Sequence, residues 1–318
     1  MVVARVRRTI LERGLIEPGM RVLCACSGGP DSAALVVVLS RLASELGFEL
    51  EAASVHHGLR PEAGRDVAIA REQALAVGVA FHPLRVEVAG GESVQAAARE
   101  VRYRALADLA GEIGAARIAT GHTRDDQAET VLMRILRGAG LRGLAGVQAR
   151  RKDGVVRPLI DCRRVEVAAF ARASCPRVAD DRSNRDPRFE RVRVRRDLLP
   201  ALEREDSAVV EHLAELAEEA GAAREALADL ADALLPQDED AETIDLSKLV
   251  AAPVAVLRVG LQRLLEARTG LAVGRSHVTE LARALTHGGE VWLPGGWVGR
   301  CSGDGVLELS GSLADEAG

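Results

Sequence analysis

Apolar and polar positions along the first half of the chain fall into alternating blocks. Arg21 to Cys26 is a short apolar run that stops at Ser27-Gly28-Gly29-Pro30-Asp31-Ser32, and Ala33 to Leu46 continues as a long apolar segment without a breaker. A short run, a glycine turn and a long run read as strand, loop and helix. Glu49 to His57 is a second strand candidate, whose end carries His56, His57, Gly58, Leu59 and Arg60. Helical patterns cover residues 63–77 and 93–113, with the apolar stretch Phe81 to Val88 between them. Residues 116–122 form a further strand ending in a polar loop, and residues 126–136 are helical in pattern. Strands alternating with helices predict βαβ units, hence an α/β fold with a doubly wound, mostly parallel sheet of Rossmann-like type. Ligands of such sheets bind beyond the strand C-termini, where all three polar clusters lie.

The texture changes after Pro200. Ala201 to Leu235 is an acidic, Ala-rich helical stretch ended by a polar linker at 236–243, residues 246–286 read as two more helices, and residues 291–310 alternate with glycine turns like a small β-meander. With 318 residues, about two domains are expected. The boundary is placed near residue 200, giving a catalytic domain over 1–200 and a smaller, mainly helical domain with a short β tail over 201–318.

No apolar run reaches the ~18 residues of a membrane span, and no apolar segment with a cleavage site follows Arg5, Arg7 and Arg8. A cytoplasmic protein without membrane contact is the expectation. Cys24, Cys26, Cys162, Cys175 and Cys301 contain no Cys-x-x-Cys pair, against a disulfide framework or zinc ribbon. The net charge of -5 hides an uneven distribution: residues 130–200 carry net +10, residues 201–318 net -13 and residues 1–129 net -2. A cationic stretch inside an acidic protein suggests a local surface for a polyanion, although an arginine-rich solvated face gives the same count.

Ser27 to Ser32 is the strongest chemical signal. Gly28 and Gly29 permit close backbone approach, so amides and the Ser27 and Ser32 hydroxyls can converge on phosphate oxygens at a helix N-terminus. It is not a Walker A loop, which requires a lysine. Asp31 is out of place beside an anion unless a cation bridges it to the phosphates, which points to Mg²⁺. Further on, Gly121-His122-Thr123-Arg124-Asp125-Asp126-Gln127-Ala128-Glu129 places three carboxylates at the start of a helix. Asp126 and Glu129 are three apart and share a face, where they can bind Mg²⁺ or orient an amine, while Asp125 points elsewhere as a helix cap. Neither His122 nor the His56-His57 pair has zinc-ligand spacing. His57, Arg60 and His122 read as nucleotide or phosphate contacts. Gly138 to Gly143 matches Gly-x-Gly-x-x-Gly but follows a helix, so it reads as a loop approaching RNA or as an interhelical turn. The densest basic run holds Arg185, Arg188, Arg191, Arg193, Arg195 and Arg196, suited to phosphate contacts or to a solvated face.

The Ser27–Ser32 loop resembles that of the N-type ATP pyrophosphatases. His57 to Arg60, Gly121 to Thr130 and Arg137 to Leu144, with Arg99, Tyr103, Asp181, Asn184, Arg191, Arg195 and Pro200, narrow the resemblance to the tRNA(Ile)-lysidine synthetase family over residues 20–202. Val192 departs from it, standing where the family usually has Asn. The resemblance implies ATP and Mg²⁺ at Ser27, Gly28, Gly29, Pro30, Asp31, Ser32, His57, Arg60, Gly121 and His122, with the metal on Asp31 and Asp126. It implies catalytic roles for Asp31, Asp126 and Glu129, and contacts from Arg99, Arg137, Arg142, Arg191 and Arg195 to an isoleucine tRNA with a CAU anticodon. The implied reaction adenylates the wobble cytidine and joins it to L-lysine, giving lysidine, AMP and pyrophosphate. Oligomeric state stays open, a homodimer included. A pyrophosphate-releasing synthetase with a small-molecule substrate is the alternative, but it would not need the +10 segment.

Overall fold

The computed structural model describes residues 1–56, 63–86, 94–175, 177–179, 186–236 and 243–311, with side chains at 63 and 94–96 left out. His57, Arg60, Asp181 and Asn184 lie outside the described residues. The chain forms two compact units, Met1–Glu218 and Glu219–Gly318.

The first unit is built on a five-stranded parallel sheet in the order β3-β2-β1-β4-β5, with β1 Arg21–Ala25, β2 Glu49–His56, β3 Ala80–Arg85, β4 Arg117–Ala119 and β5 Val155–Val156. β1 is central, and Val22, Leu23 and Cys24 are buried, as a strand covered on both faces requires. β3 contains Pro83, which lacks a ladder donor and is tolerated because this is an edge strand. Helices α1 Val2–Glu12, α2 Pro30–Leu46, α3 Ala63–Ala76, α4 Val94–Glu112, α5 Arg124–Leu136, α6 Leu141–Leu144 and α7 Arg164–Ser174 complete the wound layers. α2 starts with Pro30 at its first turn and stops at Gly47, whose φ of 70° terminates the helix without Cβ strain. Its three consecutive valines are poor helix formers, but Ala33 to Leu39 are all buried, so burial overrides propensity.

Helices α8 Glu190–Arg193, α9 Leu199–Glu205 and α10 Val209–Asp232 follow, with a π-helical turn over Val194–Leu198. The division at 218/219 falls within α10, beyond the boundary near residue 200 expected from texture. The reason is packing: Val194, Leu199, Val210, Leu213 and Ala217 share one core with Ala128, Val131 and Leu132 of α5. The second unit contains β6 Thr243–Asp245, α11 Ser247–Val250, α12 Val254–Thr269, α13 Arg275–His287, β7 Gly289–Trp292, β8 Val298–Cys301 and β9 Val306–Ser310. Its four strands form an antiparallel sheet, β6-β9-β8-β7, so the expected meander gains β6, which starts at Thr243, the last residue of the segment read as linker. Among the described residues, no helix is long and apolar enough to cross a membrane.

Candidate active site

Strand order reverses between β1 and β4, and the loops after these strands meet at that point. Ser27 N–H donates to Ser32 Oγ at 3.1 Å, the two hydroxyl oxygens lie 3.2 Å apart, and Ser32 Oγ donates to the Gly29 carbonyl at 3.1 Å. Gly28 has φ 81°, and a Cβ there would stand 2.7 Å from the Asp66 carbonyl oxygen. Its own carbonyl accepts from Gln73 Nε2 at 2.9 Å and from Ala179 N–H at 2.8 Å. The loop is thus braced from behind by α3 and residues 177–179. Gly121, after β4, presses on the same loop: a Cβ there would lie 3.1 Å from Asp31 C and 3.2 Å from Asp31 O. Glycine is needed at both places for close approach.

Asp31 sits in the first turn of α2 with Oδ1 buried and without a hydrogen-bond partner. Burial, with Asp126 beside it, pushes its carboxyl up to about 6 against the opposing pull of Arg164 and Arg195. A buried orphan carboxylate oxygen at a phosphate-type loop fits a hard cation such as Mg²⁺. Among the described residues no group of three or more His, Cys, Asp or Glu side chains is arranged to hold a metal ion, so phosphate oxygens and water would have to complete its shell.

α5 begins with a reciprocal cap. Thr123 N–H and Oγ1 each donate to Asp126 Oδ2 at 2.8 Å, and Thr123 Oγ1 accepts from Asp126 N–H. Asp125 caps a different helix: its Oδ2 accepts the Arg164 N–H at 2.7 Å, at the first residue of α7. Asp126 and Glu129 lie on one face and are enclosed by arginines. Arg164 donates to Glu129 Oε1 at 2.6 Å and to Asp126 Oδ1 at 2.7 Å. Arg195 donates to Glu129 at 2.7 and 3.0 Å, and Arg191 to Glu129 at 3.1 Å and to Thr130 Oγ1 at 3.0 Å. Glu129 is fully buried, at 0% exposure. Burial alone would raise the Asp126 carboxyl, but Arg164 foremost, with Arg191 and the Thr123 N–H, holds it well below the usual carboxylate range. His122 pairs with Thr120 Oγ1 at 3.1 Å, and burial pushes its pKa down to about 3, so its imidazole is neutral at physiological pH.

The basic run is therefore not a uniformly solvated face. Arg191 and Arg195 turn inward to Glu129, Arg188 pairs with Asp186 at 2.6 Å, and Arg137 with Glu190. Arg142 is exposed within the short α6; Gly138 and Gly140 lie in the turn between α5 and α6, and Leu141 to Gly143 are already helical. Val192, where a polar residue is usual in the resembling family, is buried. A second cationic cluster surrounds Tyr103: the guanidiniums of Arg99, Arg151 and Arg102 stand 5.1, 5.4 and 5.9 Å from its ring centroid. Arg157, only 2% exposed, donates to the Gln148 carbonyl, and burial lowers its pKa and that of Arg102.

Sequence reasoning singled out Arg99 and Tyr103 but missed Arg102, Arg151, Arg157 and Arg164. A signal for Arg164 existed: Arg163-Arg164 opens a helix, where two cations oppose the macrodipole and require nearby acids.

A parallel sheet carrying such a loop at its switch point defines a PP-loop protein, and the model of the PP-loop domain family matches residues 3–202. The tRNA(Ile)-lysidine synthase of Leifsonia xyli subsp. xyli is 37% identical over 300 residues, covering 91% of this chain and 90% of that protein. The tRNA(Ile)-lysidine synthase of Symbiobacterium thermophilum is 46% identical over 224 residues, 67% of this chain, but this chain spans only 46% of that protein. In fold, the U34-tRNA thiolase NcsA of Methanococcus maripaludis superposes with a TM-score of 0.57 at 19% identity, over 69% of this chain and 76% of that one. The chain belongs to the tRNA(Ile)-lysidine synthase family.

Proposed function

We propose that this protein ligates L-lysine to C2 of the wobble cytidine in the CAU anticodon of an isoleucine tRNA, in the cytoplasm, with ATP converted to AMP and pyrophosphate. The observation that carries the reading is the buried, unpartnered carboxylate oxygen of Asp31, set in the PP-loop beside the Asp126–Glu129 cluster. In the first step, cytidine O2 attacks the α-phosphorus of ATP and pyrophosphate leaves. In the second, an amine of lysine attacks C2, and AMP leaves with the cytidine oxygen while the amine gives up its proton.

The loop amides, the Ser27 and Ser32 hydroxyls and the α2 N-terminus take the phosphates. Asp31, with support from Asp126, would hold Mg²⁺, which would supply charge neutralisation at the leaving pyrophosphate. His122, neutral and hydrogen-bonded to Thr120, is a polar contact for the nucleotide. Glu129 orients the ammonium of lysine once Arg191 and Arg195, whose side chains are 36% and 28% exposed, turn from it toward tRNA phosphates. Tyr103 with its arginines suits an unstacked base flanked by phosphates, and Arg142 and Arg137 extend the cationic surface toward the same tRNA.

The test is incorporation of radiolabelled lysine into an unmodified CAU isoleucine tRNA transcript, with ATP and Mg²⁺. Lysine, AMP and pyrophosphate appearing in equal amounts supports the reading. ATP–pyrophosphate exchange without lysine transfer refutes it.

A further inference from the structure

Arg164 lies outside every sequence motif considered above, yet it touches all three acidic side chains at the start of α5. The two inner carboxylates are held differently. Asp126 accepts from Thr123 N–H and Thr123 Oγ1, both at 2.8 Å, so its own helix fixes it. Among the described residues, Glu129 accepts only from guanidiniums: those of Arg164, Arg191 and Arg195. Arg191 and Arg195 belong to the segment after residue 189, and their side chains are 36% and 28% exposed. Arg164 is tied at both ends. Its backbone N–H is bound by Asp125 at 2.7 Å, while Nη1 and Nη2 divide between Glu129 at 2.6 Å and Asp126 at 2.7 Å. Its Nε is buried without a partner, a desolvation cost a surface ion pair does not carry.

We propose that Arg164 is a positioning residue for the amine step: it fixes the Glu129 carboxylate that orients the lysine ammonium. The inference rests on the lysine-ligating reading above. A planar guanidinium can bridge two carboxylates, whereas an ammonium is a point charge. Arg164→Lys therefore keeps the charge and loses the bridge. Asp126 retains its Thr123 donors, so the adenylation step is spared.

The experiment follows adenylated tRNA without lysine, and lysidine formation against lysine concentration, in the wild type, Arg164→Lys and Arg164→Met. Arg164→Lys raises the KM for lysine about tenfold and leaves the adenylation rate within about twofold of wild type. Arg164→Met shifts the same parameter further, and thermal unfolding reports any loss of fold. If Arg164→Met does not fold, Arg164→Lys decides alone. A KM for lysine unchanged in Arg164→Lys, or a parallel fall in both half-reactions, overturns the positioning role and leaves a structural clamp. A wild-type protein that transfers no lysine refutes the lysine reading itself, and this inference with it.

Discussion

Replacing Asp31 by Asn removes one charge from the loop at nearly constant shape. The Asp31 carboxyl is pushed up from 3.8 to about 6, by burial first and by Asp126 second. At about 1.36 kcal/mol per pKa unit, the ionised carboxylate costs the folded state up to about 3 kcal/mol relative to the unfolded chain. An acid whose folded pKa is raised supports folding fully below its unfolded pKa, and that support is lost as pH rises through the folded value. The window for Asp31 therefore runs from about pH 4 to about pH 7. Asn does not titrate. Asp31→Asn is expected to match the wild type in stability near pH 4 and to exceed it by up to about 3 kcal/mol at pH 8, while losing adenylation. Urea titrations followed by circular dichroism across that range, without nucleotide, measure the gap. A gap independent of pH, a variant less stable at pH 8, or turnover within a few fold of wild type rules out this role for Asp31.

The other predictions concern the same site. Asp126→Ala is expected to lose both half-reactions, since a carboxylate at the metal and α-phosphate can be worth several kcal/mol, whereas Glu129→Ala loses lysine transfer and still forms adenylated tRNA; near wild-type rates in both variants would displace the site from the α5 N-terminus. Arg191→Ala and Arg195→Ala each lower the magnitude of the salt slope of tRNA binding by about 0.7 to 0.9 where the residue also meets a phosphate, and an unchanged slope in both leaves them as partners of Glu129 alone. Gly28→Ala combines φ 81° with a Cβ 2.7 Å from the Asp66 carbonyl, so it is expected to destabilise by about 1–3 kcal/mol and to abolish ATP binding, readable by thermal unfolding and equilibrium dialysis.

The parts legible in the sequence were those with local causes. β1, its glycine loop and α2 show in the change from a short apolar run to a long one, and the α5 start shows in the clustered acids. β5 and β6 have two and three residues, too few for any periodicity, and exist because neighbouring strands offer ladder partners. The inward turn of Arg191 and Arg195 was also invisible. A count of cations along the chain carries no record of Glu129, 62 and 66 residues earlier. Arg164 escaped for the same reason, its carboxylates standing 35 and 38 residues back.

Those separations set an order of assembly. α5 can form from its own cap as soon as it is synthesised, but Glu129 then faces water, because every guanidinium that encloses it arrives later in the chain. Arg164 brings the first closure, and only with Arg195 is the carboxylate shut in. A nascent chain emerging from its N-terminus can thus carry the phosphate loop before the acidic pair has its final surroundings. A ribosome stalled before residue 164 would hold a partly wound sheet in which the Ser27–Ser32 loop still lacks its brace from residues 177–179 and Glu129 still lacks its guanidiniums.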